Sequence, residues 1–341
     1  MKACLSFILF IHLYFPAYNQ TLKGDVYDEQ TKTPIEFASV YFNGSFAGTT
    51  TDLDGHFELD ISKNKTMPLT ISAIGYYSLT LTDFSTGKRL LIYLTPKVYD
   101  IKDVVISGKS YARERKKYLR FFINEFIGKT MHSKNCRILN QEDITFNYDH
   151  AEDTLKAFAL KPLIIDNLAL GYKVTYYLDL FEYYTKTKVL FFSGNIIFNE
   201  DLIADEMKAE FYLKKRKNVF QGSRMHFFRA LWANQLKSNA FKITNTSGQK
   251  LIYHEVIFQE GTKKYLSYPE HLDILFDIYY SRIRFLKECV LFDQDGYFDP
   301  SGIRWEGEMS RQRIADWLPY EYYYEATHDD PEDRQHHRSN E

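Results

Sequence analysis

From Leu22 to Leu94, short apolar runs alternate with turn residues at intervals of about 8–12 residues. This spacing predicts a β-sandwich. In the run IEFASVYF, Ile35 and Phe37 share one face of the predicted strand and Val40 and Phe42 share the other. Both faces are apolar, so we expect a strand that is covered on both sides.

Beyond residue 110 the hydrophobic period changes. YARERKKYLRFFINEFIG, Tyr111–Gly128, places aromatic residues at helical spacing opposite charges, which predicts an amphipathic helix that ends at Gly128. Its cations leave a membrane-surface helix open, but packing on the following domain is favoured. Antiparallel strands are then predicted for DITFNYD, TLKAFAL, LGYKVTYYLDLFEYY and KVLFFSGNIIF. A helix with Ser223 as its N-cap should run toward Asn239.

These patterns predict a mainly β or α+β protein, in which an N-terminal β-sandwich is followed by a linker helix and a β-rich α+β domain. The predicted segments are a signal peptide (1–20), the sandwich (21–97), a linker with the amphipathic helix (98–128), the α+β domain (129–326) and a disordered polar tail (327–341).

The N-terminus has the pattern of an export signal. Lys2 precedes the apolar run Ala3–Phe15, which Pro-Ala-Tyr-Asn-Gln follows. A basic start and an apolar core of about 7–15 residues are typical of a secretory signal, and a membrane span needs about 20 residues. Cys4 lies inside the apolar core, which does not support a lipoprotein anchor. We predict cleavage between Ala17 and Thr21, residence in the periplasm or at the outer-membrane surface, and no transmembrane helix in the mature chain.

Composition narrows the choice of partners. Apolar residues make up 45% of the chain and charged residues 26%, which predicts packed domains. The 27 Tyr and 27 Phe favour strands. A formal net charge of −2 gives no electrostatic reason to expect nucleic acid as a partner, and none is predicted.

The string GDVYDEQTKTPIEFASVYFNGSFAGTTTDLDGHFEL resembles the carboxypeptidase regulatory-like domain, a transthyretin-like Greek-key sandwich. The matching residues are Gly24, Val26, Asp28, Pro34, Ile35, Ala38, Val40, Gly48, Thr49, Thr51, Asp52, Asp54, Gly55 and Phe57. The resemblance implies an exported protein of Bacteroidota, where such domains occur on zinc carboxypeptidases and ahead of the plug of TonB-dependent receptors. NCRILN and RIADWLPYEY resemble a C-terminal domain of unknown function that accompanies the same first domain.

Asp52-Leu53-Asp54-Gly55 is either a metal loop or a turn. An EF-hand places its glycine at position 6, whereas the glycine here is the fourth residue from Asp52. Asp54-Gly55 between two strand-like runs predicts a hairpin with a type I′ turn, in which Asp52 accepts nearby backbone amides. DQDGYF, Asp293–Phe298, predicts a second Asp-Gly hairpin.

No catalytic pattern emerges. The ten histidines form no H-x-x-E or H-E-x-x-H motif, which zinc peptidases need, and neither G-x-S-x-G nor a phosphate loop occurs. His56 and Glu58, like His150 and Glu152, are two residues apart and are interpreted as turn and loop residues. The other histidines considered for a zinc site, His328, His336 and His337, lie in the predicted polar tail. We predict no catalytic, cofactor-binding or metal-binding residue and no cofactor.

Cys136 and Cys289 remain after removal of the predicted signal. Neither belongs to a C-x-x-C or C-x-x-H cluster, so no metal site is predicted. Two buried free thiols are favoured, while a disulfide and a nucleophile stay open.

A basic concentration is formed by Lys214–Lys217, KKRK, with Arg224 and Arg229. It is interpreted as a solvated helix face, and lipid head groups, an anionic glycan or a protein are alternatives.

We therefore predict an exported cell-envelope protein with a non-catalytic binding or scaffolding role. An envelope protein or a glycan is open as its partner, and so is peripheral membrane contact. The alternative is a glycan or peptide hydrolase, whose candidate acids Asp149, Asp153 and Asp166 cannot be paired from sequence. The alternating aromatic run YKVTYYLDLFEYY leaves a component associated with an outer-membrane barrel as a second alternative.

Overall fold

The structure is a computed structural model that describes residues 21–62, 64, 67–85, 87–97, 109–200 and 206–323 of the 341-residue chain. The predicted signal peptide, residues 98–108 of the predicted linker and the predicted tail lie outside the described residues.

The N-terminal part is a β-sandwich, as predicted. Its strands are β1 (Thr21–Asp28), β2 (Ser39–Phe42), β3 (Gly48–Thr50), β4 (His56–Asp60), β5 (Leu69–Ser72), β6 (Leu79–Leu81) and β7 (Leu90–Leu94). They form two sheets with the orders β4-β1-β7 and β3-β2-β5-β6. β1 pairs antiparallel with β4 and parallel with β7. The core between the sheets is aliphatic and aromatic, with Leu22, Val26, Val40 and Phe42 fully buried.

Strand β2 is shorter than its apolar run. The chain reaches a positive φ of 56° at Phe37, which is 65% exposed, and the strand begins only at Ser39. This bend brings Ile35 into the same core as Val40, so the predicted alternation is wrong before Ser39. From Ser39 onward the strand is covered on both sides, because Tyr41 on the outer face is also buried.

An antiparallel sheet follows the sandwich. Its strands are β8 (Cys136–Ile138), β9 (Ile144–Asp149), β10 (Thr154–Ala159), β11 (Leu163–Asn167), β12 (Tyr172–Tyr184) and β13 (Val189–Asn199). The predicted antiparallel strands correspond to β9, β10, β12 and β13, whereas β8 and β11 were not predicted. One edge of β12 pairs with β13 along its length, and the other edge pairs with β11 at one end and β10 at the other.

The predicted amphipathic helix is α1 (Lys109–Phe126). It packs on the sheet that contains β12, with Phe122 and Phe126 fully buried and Tyr118 partly buried. The favoured interpretation as a packed helix is therefore confirmed. Within the described ranges, no helix is both long enough and apolar enough to cross a membrane.

Two more helices precede the last sheets. They are α2 (Glu206–Phe220) and α3 (Arg224–Trp232). Ser223 caps α3 as predicted, since its side chain accepts from the backbone amide of His226 at 3.0 Å. The helix stops well before Asn239, because Asn234 takes a φ of +55° that ends the right-handed path.

The remaining elements form a separate hydrophobic core with α3. They are β14 (Phe241–Thr244), α4 (Tyr253–Val256), β15 (Ile257–Glu260), β16 (Lys263–Leu266), β17 (Leu272–Phe276), β18 (Tyr279–Phe285), β19 (Val290–Phe292) and β20 (Ile303–Gly307). Their sheets have the orders β14-β17-β18-β20 and β15-β16-β19. Phe227, Phe228 and Phe292 are fully buried in this core. Ile314 and Ala315, further along the chain, return to the core beneath α1.

The loop between β2 and β3, residues 43–47, docks on the second domain. Gly44 donates its amide to the carbonyl of Ile196 at 2.9 Å, and Phe198 donates to the carbonyl of Ser45 at 3.1 Å. The ring of Phe46 packs beside Tyr172 and Phe198, with centroids 5.9 and 6.3 Å apart. This loop, which we call the docking loop, thus extends the pairing of β13 and fastens the sandwich to the sheet.

Polar contacts continue this interface along β2. Ser39 and Tyr177 hydroxyls lie 2.7 Å apart, and the rings of Tyr41 and Tyr177 stack at 5.8 Å. Lys97 lies 3.7 Å from Asp179, whose pKa is raised by burial. The cleft beside these groups has room for about one water molecule, so it is a packed joint and not a ligand pocket.

Candidate functional site

The Asp52–Gly55 segment is a turn, but it is not the predicted hairpin. Asp52 Oδ1 accepts the backbone amides of Asp54 and His56 at 3.0 and 2.8 Å, and Gly55 donates to the Asp52 carbonyl at 3.1 Å. Among these turn residues only Gly55 has positive φ, at +76°, so the turn is not type I′. The flanking strands β3 and β4 lie in different sheets. The turn therefore carries the chain across the sandwich.

The predicted second turn, Asp293–Phe298, has the same geometry. Asp293 Oδ1 accepts the amides of Asp295 and Tyr297 at 2.9 and 3.0 Å, and Gly296 has a φ of +87°. Here the flanking residues Phe292 and Phe298 pair antiparallel, so this turn does close a hairpin as predicted.

The surroundings of the two turns differ. Asp52 and Asp54 are exposed, whereas Asp293 and Asp295 are only 6% and 8% exposed. Asp293 Oδ2 is buried without a hydrogen-bond partner. Burial, reinforced by the nearby carboxylate of Asp295, raises the pKa of Asp293 to about 7. Sequence reasoning missed this group, because DQDGYF alone does not reveal what covers the turn.

Arg229 on α3 holds the covering segment in place. Its guanidinium donates to the carbonyls of Asp295, Tyr320 and Tyr322, at 2.9, 2.9 and 2.5 Å. Tyr323 donates its hydroxyl to Asp295 Oδ1. Because all three guanidinium nitrogens bond to backbone carbonyls, Arg229 ties together three segments and does not face an external ligand.

His56 and Glu58 share the outer face of β4, as their spacing predicts. His56 Nδ1 donates to Asp25 Oδ1 from the neighbouring strand, and Arg89 binds the same carboxylate through Nε at 2.5 Å. Hydrogen bonding to Arg89 is the main reason that the pKa of Asp25 is lowered. Glu58 instead pairs with Lys23 at 2.5 Å. This face, formed by β4, β1 and β7, also leaves Leu91 and Tyr93 60% and 39% exposed; we call it the open face.

His150 and Glu152 lie in the turn after β9, in agreement with their interpretation as loop residues. The ring of His150 packs on Tyr148, and Glu152 lies 3.6 Å from Lys156. The tail histidines His328, His336 and His337 lie outside the described residues. In the part of the chain that the structure describes, no group of three or more His, Cys, Asp or Glu could hold a metal ion.

The candidate hydrolase acid Asp166 lies far from the other two, Asp149 and Asp153. Asp166 lies opposite Lys173 on β12, whereas Asp149 pairs with Thr154, which lies opposite Tyr184 at the other end of β12. At about 3.3 Å per residue, these positions are about 35 Å apart. Asp153, next to Thr154, pairs with Lys186 at 2.7 Å. A glycosidase pair needs carboxyls within about 5–10 Å, which Asp166 cannot form with Asp149 or Asp153.

Cys136 and Cys289 are free thiols, and the expectation that both are buried is wrong for Cys289, which is exposed. Cys136 lies near groups that suggest a nucleophilic triad, since His132 Nδ1 is 3.1 Å from Asp316 Oδ1. However, burial raises the pKa of Cys136 to about 12, and the carboxylates of Asp316 and Asp166 add to the shift. A nucleophilic cysteine needs the opposite shift.

Only part of the KKRK run is a solvated basic face, since Lys214 is exposed but the run ends in two buried cations. Arg216 and Lys217 are only 5% and 8% exposed. Arg216 stacks on Tyr172 at 3.9 Å and donates to the Leu170 carbonyl at 2.8 Å. Arg224 donates to the Met309 carbonyl at 2.9 Å. The sequence pattern does not show which cations of α2 are buried. That depends on how the helix packs on the sheet, where Arg216 contacts Tyr172.

Comparisons with known proteins agree with the N-terminal fold. No curated protein matches the chain. Among solved structures, a 9R-lipoxygenase from Cyanothece PCC8801 is similar over 64% of this chain and 48% of its own, at 12% identity. The TM-score of 0.17 is too low to support an argument about fold or function, and the chain spans about half of the lipoxygenase. The family model of the CarboxypepD_reg-like domain matches residues 22–106, so the N-terminal sandwich is a CarboxypepD_reg-like domain.

Proposed function

We propose that this protein is exported to the cell envelope, where it has a non-catalytic binding or scaffolding role. The observation that carries the proposal is the way in which the sandwich is mounted. The docking loop and Tyr41 fix one of its sheets on the second domain, while the open face on the opposite sheet stays exposed.

The composition of the open face suits a binding surface. Leu91 and Tyr93 provide apolar contact area, and Lys32 lies 4.3 Å from the ring centroid of Tyr93. His56 and Arg89 are oriented by the same buried carboxylate of Asp25. Exposed apolar side chains beside oriented polar groups are typical of surfaces that bind partners.

Export is tested by the N-terminus of the protein in its host. We expect a mature chain that begins at Thr21 or within a few residues of it, recovered from the envelope or periplasmic fraction. N-terminal sequencing makes the measurement, and an intact Met1 in the cytoplasmic fraction would sink the proposal.

The binding role is tested on the open face. Leu91→Glu with Tyr93→Glu should release the protein from its envelope partner, whereas Leu53→Glu, at a side chain 69% exposed in the turn between β3 and β4, should not. Retention in washed envelope fractions is the measurement. Equal retention of all three proteins would count against the open face, and turnover of envelope glycans or peptides would favour the hydrolase alternative.

A further inference from the structure

The outer face of α1 carries a row of cations without acidic partners. Arg113, Lys116, Lys117 and Arg120, which we call the cationic row, are all exposed. Within the described residues, none of them makes an ion pair. Their spacing of i, i+3, i+4 and i+7 places them on one side of the helix over about 10 Å.

The rest of α1 sharpens this charge. Glu114 is the acid exposed beside the row, and Glu125 is held by Lys129 at 2.5 Å. Four cations less one acid leave a formal charge of +3 on this face of α1. A local concentration of positive charge favours the approach of an anionic surface to this face of the molecule.

We propose that the cationic row docks the protein electrostatically on a membrane surface of anionic phospholipids. The helix does not insert, because its apolar side is occupied: Phe122 and Phe126 are fully buried against the sheet. Lipid phosphates can rearrange laterally to meet a straight row of unpaired cations, so no shaped pocket is needed. This contact deepens the proposed envelope role and rests on it for its setting.

The expected strength follows from the charge. Each cation close to an anionic leaflet strengthens binding by about fivefold, so the row should contribute a few hundredfold at low salt. Because the row is exposed, 0.5 M salt should screen most of this gain.

The experiment is vesicle co-sedimentation of the full mature chain, at low salt and at 0.5 M NaCl. The probes are vesicles of phosphatidylglycerol with phosphatidylcholine and vesicles of phosphatidylcholine alone. We expect salt-sensitive binding to the anionic vesicles only. Arg113→Glu, Lys116→Glu, Lys117→Glu and Arg120→Glu combined should weaken that binding by about 100-fold or more.

The matched control makes the same change in net charge at exposed positions outside the cationic row. Lys214, Lys237, Lys242 and Lys250 are exposed, and their combined replacement by Glu changes the net charge equally. This control should retain most of the binding, and melting temperatures verify that both variants fold. If the row variant does not fold, the four Gln substitutions replace it.

Three results would overturn the proposal: no binding of the wild type to anionic vesicles, equal losses in the row and control variants, or binding that 0.5 M salt leaves unchanged. Vesicle binding by a protein that keeps Met1 in the cytoplasm would instead defeat only the envelope role.

Discussion

Gly55 and Gly296 stand at the same position of two turns whose side-chain and backbone hydrogen bonds match. In each turn an aspartate accepts the amides two and four residues ahead, and the glycine supplies the positive φ. A Cβ on Gly55 would lie 2.7 Å from the carbonyl oxygen of Val26. The glycine is therefore needed for both its backbone angle and its close approach.

We predict that Gly55→Val lowers the free energy of unfolding by about 1–3 kcal/mol, because a β-branched residue resists positive φ. Asp54→Asn should change it by less than about 0.5 kcal/mol, since Asp54 is exposed and has negative φ. Thermal unfolding with calcium and with chelator measures both effects. A calcium-dependent rise in the wild-type melting temperature that vanishes in Asp54→Asn would contradict the turn interpretation.

Asp293 makes the stability of the protein depend on pH. Its pKa is about 7 in the folded protein and about 3.9 in an unfolded chain. Between about pH 4 and 7 the folded state therefore binds a proton that the unfolded state has released, and the free energy of unfolding falls as pH rises. Ionisation of Asp293 should therefore make the free energy of unfolding about 2–4 kcal/mol lower above pH 7 than at pH 4.

Asp293→Asn keeps the acceptor for the two turn amides but removes the titration. We predict a flatter decline of unfolding free energy between pH 5 and 7 than in the wild type, measured by denaturant unfolding at several pH values. Asp52→Asn, at the equivalent position of the exposed turn, controls for the loss of a turn carboxylate. Parallel curves for Asp293→Asn and the wild type would refute the assignment.

At the scale of single elements, α1 is a core helix with one charged side. The Phe122 ring lies 4.9 Å from the ring of Phe126 and 4.7 Å from that of Phe181, centroid to centroid. Phe122→Ala should lower the free energy of unfolding in water by about 3–5 kcal/mol, whereas Asn124→Ala on the exposed side should be close to neutral. Chemical denaturation makes the comparison. Unchanged stability of Phe122→Ala would contradict the packing of α1 on the sheet.

The elements that were predicted most clearly from the sequence have a long hydrophobic period or a strong start signal. β12, β13 and α1 show their periods over many residues, and Ser223 marks the start of α3. β8 has three residues and β11 is the short apolar run LIIDN, so neither carries a period that identifies a strand. The turn at Gly55 was predictable as a turn, but pairing between β3 and β4 is decided by the rest of the sandwich.

The candidate sites depended even more on tertiary context. Asp52 and Asp293 lie in nearly the same local sequence, yet only Asp293 is buried, because segments around Arg229 and Tyr320 cover its turn. Cys136 and Asp316 are 180 positions apart in sequence and influence each other only after folding. Local sequence patterns do not show which distant residues come close together in the folded protein.

At the scale of the whole molecule, the docking loop couples the sandwich to the second domain. Phe46→Ala removes a partly buried ring from between Tyr172 and Phe198, which should cost about 1–3 kcal/mol. We predict that calorimetry shows one cooperative transition for the wild type and a separate, earlier transition of the sandwich in the variant. Leu53→Ala, at an exposed side chain, is the control. Identical single transitions in all three proteins would mean that the loop does not couple the domains.

The parallel pairing of β1 with β7 has a mechanical consequence. Gly24 lies opposite Leu90 and Asp28 opposite Leu94, so the start of β1 and the end of β7 point in opposite directions along the strand axis. Tension between Thr21 and the chain that leaves Leu94 therefore loads all the hydrogen bonds between these strands together, in shear. An antiparallel pair pulled from adjacent ends opens one bond after another. Under tension between Thr21 and Leu94, the pair of β1 and β7 should therefore resist separation until several hydrogen bonds break together.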